Sequence, residues 1–505
     1  MKGDKSVTIR YSKEVDFNKK RPVEVISSKS FLHRALICAA MACGTSRISY
    51  KGLSDDIMAT ISALEVLGAK IDIGLTSLSV RPIEPEKRKF DYTCQMYSED
   101  MKSDFHRGKN TIKRYDYDPK IVDCGESGST LRMLLPLATS LTDDYIFVGK
   151  EGLKRRPISD LTRVLRQAGA DVCQDTLPIE IRNKSTDASA FRDNNEMGTD
   201  TFKADSIGEL NRKTYIDEKR IIFFIRGDIS SQYISGLLLA GPLMDREVIV
   251  NVLDRLESKP YIDLTKDVMS IFGVKVEEFE LSTNAFADNI VRSYKIKSGQ
   301  KYKHVNINSQ ADWSNACFFM ALGALKMPIS IENLDFGSSQ GDKKIVDVLK
   351  GYGAKILISN SKIEIWPNDR NAIGLDISDT PDILPILAVL AMFAHGDSTF
   401  TGFERLRIKE SDRVESVIKM VQSLGGQARV KGDLFIVEGI EKYLNQESGR
   451  IYRVDSFNDH RIVMAASIAS SMLNGDLVIN GAEAVNKSYP GFFDLLEDLG
   501  FTVIK

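Results

Sequence analysis

Cysteine and histidine are scarce in this 505-residue chain, six and five respectively. The cysteines (Cys38, Cys43, Cys94, Cys124, Cys173 and Cys317) are scattered, with no Cys-x-x-Cys pair. That spacing excludes a zinc ribbon or a dithiol redox motif, and a chain of this length needs no disulfide scaffold. Long apolar runs are also missing: no stretch of about 18 uncharged apolar residues could span a bilayer. The opening Met1-Lys2-Gly3-Asp4-Lys5 has none of the apolar character of a secretion signal, so a cytoplasmic protein is expected. There is no excess of charge either. Lys plus Arg number 68 against 70 for Asp plus Glu, a net charge of −2, which excludes a general role on nucleic acid or an anionic membrane but leaves room for a local basic cleft.

What is present is an ordinary globular composition, 43% hydrophobic and 27% charged, spread over too many residues for one core. At least two domains are expected. An internal repeat subdivides them. Six times a helical run ends on a glycine and passes into a β-like segment, at Gly68, Gly169, Gly273, Gly353, Gly425 and Gly500. Glycine suits the left-handed residue that stops a helix. Between these glycines an apolar helix, a tight turn and a strand also recur six times, from Ala35–Ser49 to Ala465–Ile479. The predicted unit is strand, helix, strand, helix, strand. The first two glycine intervals are long because polar, weakly periodic stretches at about 88–120 and 182–219 read as insertions in surface loops.

Short polar segments stand directly before the apolar helices: Ser28-Lys29-Ser30, Gly125-Glu126-Ser127-Gly128-Ser129, Ser230-Ser231-Gln232, Gln310-Ala311-Asp312, Thr380-Pro381-Asp382 and Asn458-Asp459-His460-Arg461. One alone is a helix cap. Together, joined by Arg155-Arg156-Pro157, Ser258-Lys259-Pro260-Tyr261, Lys409-Glu410-Ser411-Asp412-Arg413 and Lys487-Ser488-Tyr489-Pro490, they put cations beside helix N-termini, where unpaired N–H groups and the positive dipole end favour anions. If these helix starts converge, they form a cleft for a substrate with several negative charges.

These motifs, in this order, resemble the enolpyruvyl transferases, and the resemblance covers nearly the whole chain except the insertions. It implies an α/β fold of two domains, each of three βαβαβ-type repeats arranged as an inside-out α/β barrel, with the ligand cleft between them. The first domain would run over 26–308, and the second would combine 1–25 with 309–505. The implied activity is transfer of the enolpyruvyl group of phosphoenolpyruvate to the 5-hydroxyl of shikimate 3-phosphate, on the shikimate pathway to chorismate and aromatic amino acids. No metal or organic cofactor is implied, and the partners are the two small-molecule substrates. No nucleic acid or membrane is expected, and the chain is expected to be a monomer.

By the same resemblance, Lys29, Ser30, Arg34, Ser230, Ser231, Gln232, Ser258, Tyr261, Asp382 and Lys409 would hold shikimate 3-phosphate. Lys29, Gly128, Arg156, Gln232, Arg413, Arg461 and Lys487 would hold phosphoenolpyruvate. The chemistry agrees, since hydroxyls and helix N–H groups suit a phosphate monoester and arginine forks suit planar carboxylate and phosphate. The implied catalytic groups are Lys29, Asp382, Glu410 and His460, with Asp382 as base at the hydroxyl and Lys29 beside it, and Glu410 near the carbon that gains and then loses a proton. Each has a structural alternative: Asp382 as a cap after Pro381, Glu410 as a salt-bridge partner of Arg413, His460 as a core histidine. The chain departs from the family pattern at Ile26-Ser27, at Met133 and at Glu126, where an amide is common and a carboxylate would repel the second substrate unless neutralised. Two other readings remain: the enolpyruvyl transferase that takes UDP-N-acetylglucosamine, and a non-catalytic anion-binding repeat protein. The first commonly has a cysteine on the loop that here reads Lys154-Arg155-Arg156-Pro157, and no cysteine is near.

Overall fold

Six small sheets, one to a repeat, organise the chain in a computed structural model that describes residues 6–11, 19–87, 119–183, 214–280, 289–439 and 449–505. Most of both predicted insertions lies outside the described residues. Five sheets have four strands and the third has five. Each contains a parallel pair joined to an antiparallel pair: Lys120–Asp123 runs parallel to Tyr145–Val148, which pairs antiparallel with Ile179–Arg182, itself antiparallel to Asp171–Val172.

The repeat thus has one strand more than the predicted βαβαβ unit. After the outer helix of each of the first five repeats the chain makes a hairpin, and its second strand takes the place beside the parallel pair, as Ser77–Arg81 does between Ser46–Ser49 and Lys70–Ile73. Two short alternating segments split by a turn such as Gly74-Leu75-Thr76 read in sequence as one β region.

Three sheets draw a strand from far along the chain. Asn306–Asn308 supplies the parallel edge of the first sheet, against Ser46–Ser49, and Arg21–Val23 that of the fourth, against Ile329–Ile331. Ser6–Tyr11 lies between the last two strands of the sixth sheet, antiparallel to both Gly475–Asn480 and Phe501–Ile504. Described hydrophobic residues form two separate cores. One gathers Phe31 through Tyr302; the other gathers Val7, Ile9 and Val23 to Ile26 with Ala311 through Phe501.

The inner helix of each repeat is apolar on all sides, as a helix surrounded by others must be. Every residue of Leu384–Met392 is buried, and so is nearly all of Trp313–Leu325. The six predicted stop glycines all have positive φ, between 82° and 112°. The first five turn the chain from an outer helix into the hairpin, and Gly500 turns it into the single strand Phe501–Ile504. The polar starts of the inner helices are thereby left at one end of each bundle, and those two ends face each other.

Candidate functional site

The facing ends enclose a cleft. Nearly every side chain named from the sequence lines it: Lys29, Ser30 and Arg34 from the start of helix Lys29–Ala40, Gly128 from Gly128–Ala138, Arg156, Ser230, Ser231 and Gln232 from Ser231–Ala240, Ser258 and Tyr261 from Lys259–Ile271, then Asp382, Lys409, Glu410, Arg413, His460 and Arg461. Eight cationic side chains face three carboxylates there. The predicted local basic cleft is present despite the balanced total. Lys487 is not among the lining residues; its Nζ donates to Asn458 O at 2.9 Å and lies 4.0 Å from Glu126 Oε2. That approach supplies the neutralising charge the unusual Glu126 requires.

The helices of the first core start with serine caps: Ser28 Oγ accepts from Phe31 N, Ser127 Oγ from Thr130 N and Ser230 Oγ from Gln232 N. Neutral caps leave the starts of Gly128–Ala138 and Ser231–Ala240 uncompensated, while at the start of Lys29–Ala40 the Lys29 N–H also donates to Asp312 Oδ2 at 2.9 Å. Arg34 is more deeply engaged than a bare binding arm would be. Its Nε donates to Thr265 Oγ1 at 2.7 Å, Nη1 to Ser30 O at 2.7 Å and Nη2 to Tyr261 O at 2.9 Å, and burial brings its pKa down to about 10. With Nη2 also 3.4 Å from Ser235 Oγ, most of its donors are spent on the protein, so it ties three helices together as well as facing the cleft. Lys29 Nζ pairs with Asp56 Oδ2 at 2.9 Å. Asp382 instead has Lys409, at 3.6 Å, as its lysine neighbour.

Asp382 is the hub of the opposite wall. Its carboxylate accepts from Arg413 Nη1 at 2.8 Å, Arg461 Nη2 at 3.0 Å and, across the cleft, Tyr261 Oη at 3.2 Å. Burial alone would raise its pKa, but Arg461, Lys409 and Arg413 hold it well below the usual carboxylate range. Glu410 behaves alike: burial opposes its charge, yet Arg156, 3.4 Å away across the cleft, and Arg413, at 2.6 Å, hold it ionised. Lys409 is brought down to about 8, by burial first, with Arg405 and Arg413 adding to the shift and Asp382 opposing it. His460, 2% exposed, is kept neutral by burial and by Lys29 and Arg461.

Several of these groups are incomplete. Both ring nitrogens of His460, and Nε and Nη2 of Arg156, are buried without a hydrogen-bond partner. Buried polar groups are almost always paired, so donors aimed into a cationic cleft mark where an anion belongs. Gly128 makes room for it, since a Cβ there would lie 2.8 Å from Arg156 Nη1. Sequence reasoning missed Asp56, Arg132 and Arg405, which also line the cleft. A signal for Arg132 was available: a lone arginine in Leu131-Arg132-Met133-Leu134-Leu135 can be buried only if it is paired or faces a ligand.

Six repeats in two bodies, closing helix starts and arginines over one cleft, define an enolpyruvyl transferase-type fold. Solved structures share it: EPSP synthase from Acinetobacter baumannii superposes with a TM-score of 0.71 at 21% identity, covering 99% of this chain and 100% of that one. The enolpyruvyl transferase NikO from Streptomyces tendae does so with a TM-score of 0.64 at 14% identity, covering 99% of both. The family model for EPSP synthase (3-phosphoshikimate 1-carboxyvinyltransferase) matches residues 18–99, 93–193 and 211–496, and the chain belongs to that family. Curated relatives agree. The 3-phosphoshikimate 1-carboxyvinyltransferase of Clostridium kluyveri is 34% identical over 480 residues, 95% of this chain and 94% of the relative, and that of Methanococcus aeolicus is 31% identical over 481 residues, 94% and 95%. No helix among the described residues is long and apolar enough to cross a membrane.

Proposed function

We propose that this cleft carries out the family's reaction, transferring the enolpyruvyl group of phosphoenolpyruvate to the 5-hydroxyl of shikimate 3-phosphate on the route to chorismate and aromatic amino acids. The observation that carries the reading is the unpaired buried donors of Arg156 and His460, set among Arg413, Arg461, Glu410 and Asp382. The working unit is a cytoplasmic monomer of two domains, 26–308 and 1–25 plus 309–505. The two cores and the strands they borrow support that division.

Shikimate 3-phosphate sits on the first body, its phosphate over the starts of Ser231–Ala240 and Lys259–Ile271 at Ser230, Ser231 and Ser258. Lys29, Ser30, Arg34, Gln232 and Tyr261 surround the ring, and Asp382 and Lys409 close from the other side. Phosphoenolpyruvate lies between Arg156 and Gly128 on one wall and Arg413 and Arg461 on the other, with Lys29, Gln232 and Lys487 completing its shell. These contacts bridge the two bodies, so the ligands themselves favour closure.

The chemistry is addition followed by elimination. The 5-oxygen bonds to C2 of phosphoenolpyruvate, its proton passing to Asp382, while C3 takes a proton from Glu410. C3 then returns a proton, the C2–O bond to phosphate breaks, and the carbon–carbon double bond is restored. Glu410 must be protonated to begin, yet Arg156 and Arg413 keep it ionised in the open site. Phosphoenolpyruvate binding to those arginines removes their hold, and burial then raises the pKa of Glu410, so the acid forms where the acceptor carbon has just arrived. His460, neutral beside it, offers one donor and one acceptor to the same substrate.

Phosphate release from phosphoenolpyruvate, measured with and without shikimate 3-phosphate, tests this. Release that depends on shikimate 3-phosphate is expected; release with UDP-N-acetylglucosamine in its place, or none with either acceptor, would refute it.

A further inference from the structure

Arg405 belongs to none of the binding sets above, yet it is 8% exposed and lines the cleft. It rises from the short 3-10 segment Glu404–Ile408 of the second body and crosses to the first. There Nη1 donates to Ser258 Oγ at 3.1 Å and lies 3.5 Å from Glu257 Oε2. Its Nε is buried with no hydrogen-bond partner. A guanidinium so placed, with one donor open, is costly to keep without an anion.

Its surroundings say which anion. Ser230, Ser231 and Ser258 line the same cleft and stand at the starts of two helices whose own first turns carry no acidic residue, though Asp379 Oδ1 accepts from Lys259 N at 3.2 Å. Arg405 also depresses the pKa of both Lys409 and Arg132, so three cations crowd together here. Glu257 is the carboxylate within salt-bridge distance of Arg405, and burial raises its pKa. A second Arg405 partner with two negative charges and tetrahedral oxygens would relieve this crowding, while a single carboxylate would not. The hydroxyls, helix N–H groups and guanidinium fork together match a phosphate monoester.

We infer that Arg405 grips the 3-phosphate of the acceptor, a contact delivered from the second body onto the serine-lined site of the first, so that this phosphate is read only when the two bodies meet. The inference rests on the proposed acceptor. It adds that the phosphate is recognised by a fork and not by serines alone, and that Ser258 is Arg405's resting partner.

The test compares shikimate 3-phosphate with shikimate, the same ring without the phosphate. In Arg405→Ala, the dissociation constant for shikimate 3-phosphate by calorimetry is expected to rise about 10- to 100-fold, the worth of a charge-assisted contact. The inhibition constant of shikimate should move by less than about twofold. A general structural lesion would weaken both equally, and that result, or unchanged affinity for the phosphate ester, overturns the inference. Arg405→Lys keeps the charge without the fork and guards against an alanine variant that does not fold. It should lose about tenfold on shikimate 3-phosphate alone, and wild-type affinity there would count against the fork. Failure of the unsubstituted protein to bind shikimate 3-phosphate would instead overturn the reading of the acceptor itself.

Discussion

The two walls of the cleft each carry four cationic side chains, Lys29, Arg34, Arg132 and Arg156 against Arg405, Lys409, Arg413 and Arg461, but their helix starts are capped differently. On the first body the inner helices begin with serines, which cap backbone N–H groups without charge. On the second body two inner helices are capped by carboxylates, Asp312 accepting from Asn315 N and Asp459 from Arg461 N. So is the outer helix Arg413–Ser423, where Asp412 accepts from Glu415 N, while Leu384–Met392 has no side-chain cap. These aspartates compensate their own dipole ends, and Asp312 also accepts from Lys29 N on the first body. The second wall thus draws its positive charge mainly from side chains, whereas the first adds the open starts of Gly128–Ala138 and Ser231–Ala240 to its cations. The same aspartates anchor those side chains. Asp459 both caps its helix and holds Arg413 Nε at 2.8 Å, with the two side chains 0% and 1% exposed. One wall therefore adds a fixed set of backbone dipoles to its cations, and the other is a sprung set of side chains held by carboxylates that a substrate can displace.

Substitutions should separate the walls. Glu410→Gln, which removes a proton-transfer group from the sprung wall, should lower turnover by about 10² to 10⁴-fold while calorimetric affinity for shikimate 3-phosphate is kept. Normal turnover would remove Glu410 from the mechanism. Asp459→Ala should cost about 3 kcal/mol of stability, because it takes one of three carboxylate partners from a buried guanidinium and uncaps a helix together. It should be read in thermal unfolding with and without ligand. Ser230→Ala on the fixed wall should cost only about 1 kcal/mol, with its larger effect on acceptor affinity. If the two substitutions destabilise equally, the contrast between the walls is wrong.

Acidity gives a subtler handle. Lys409 loses its charge near pH 8, whereas a phosphate monoester is already a dianion above about pH 7. Affinity for shikimate 3-phosphate should thus fall as pH rises through that point, by up to about tenfold per pH unit, and binding there should take up a proton. Lys409→Met should flatten the profile. A chelator should have the smallest effect of all, since the cationic side chains already match the substrates' charge. Activity lost in EDTA and restored by a divalent ion would show otherwise.

The repeat was legible because its punctuation is local. A glycine that must adopt positive φ announces itself at Gly68 or Gly353 whatever surrounds it. The hairpins were not legible, because which of two adjacent β segments lies inside the sheet is decided by partners elsewhere. The same is true of Asn306–Asn308, three residues whose role exists only beside Ser46–Ser49. In the site, residues within contiguous polar motifs, such as Lys29 and Ser30 beside the cap Ser28, were found together in the cleft. Arg405 was passed over because Arg405-Leu406-Arg407-Ile408 has no periodicity to distinguish the buried arginine from Arg407, which is half exposed beside Asp412. Lys29 shows a further limit. Its motif was plain, but its pairing with Asp56 depends on how two helices meet.

The strand Ser6–Tyr11 has a bearing on how the molecule is made. Arg10 reaches Asp476 across 466 positions of sequence, so this strand leaves the ribosome long before either of its neighbours and waits for them. The first body suffers no such delay, because its most distant strand, Asn306–Asn308, closes it well before the second body is finished. Assembly should proceed in that direction, with the early strand as the last piece inserted. Until then the sixth sheet stands open between Gly475–Asn480 and Phe501–Ile504, an unfilled slot in the half of the protein that holds Asp382, Glu410 and Arg413.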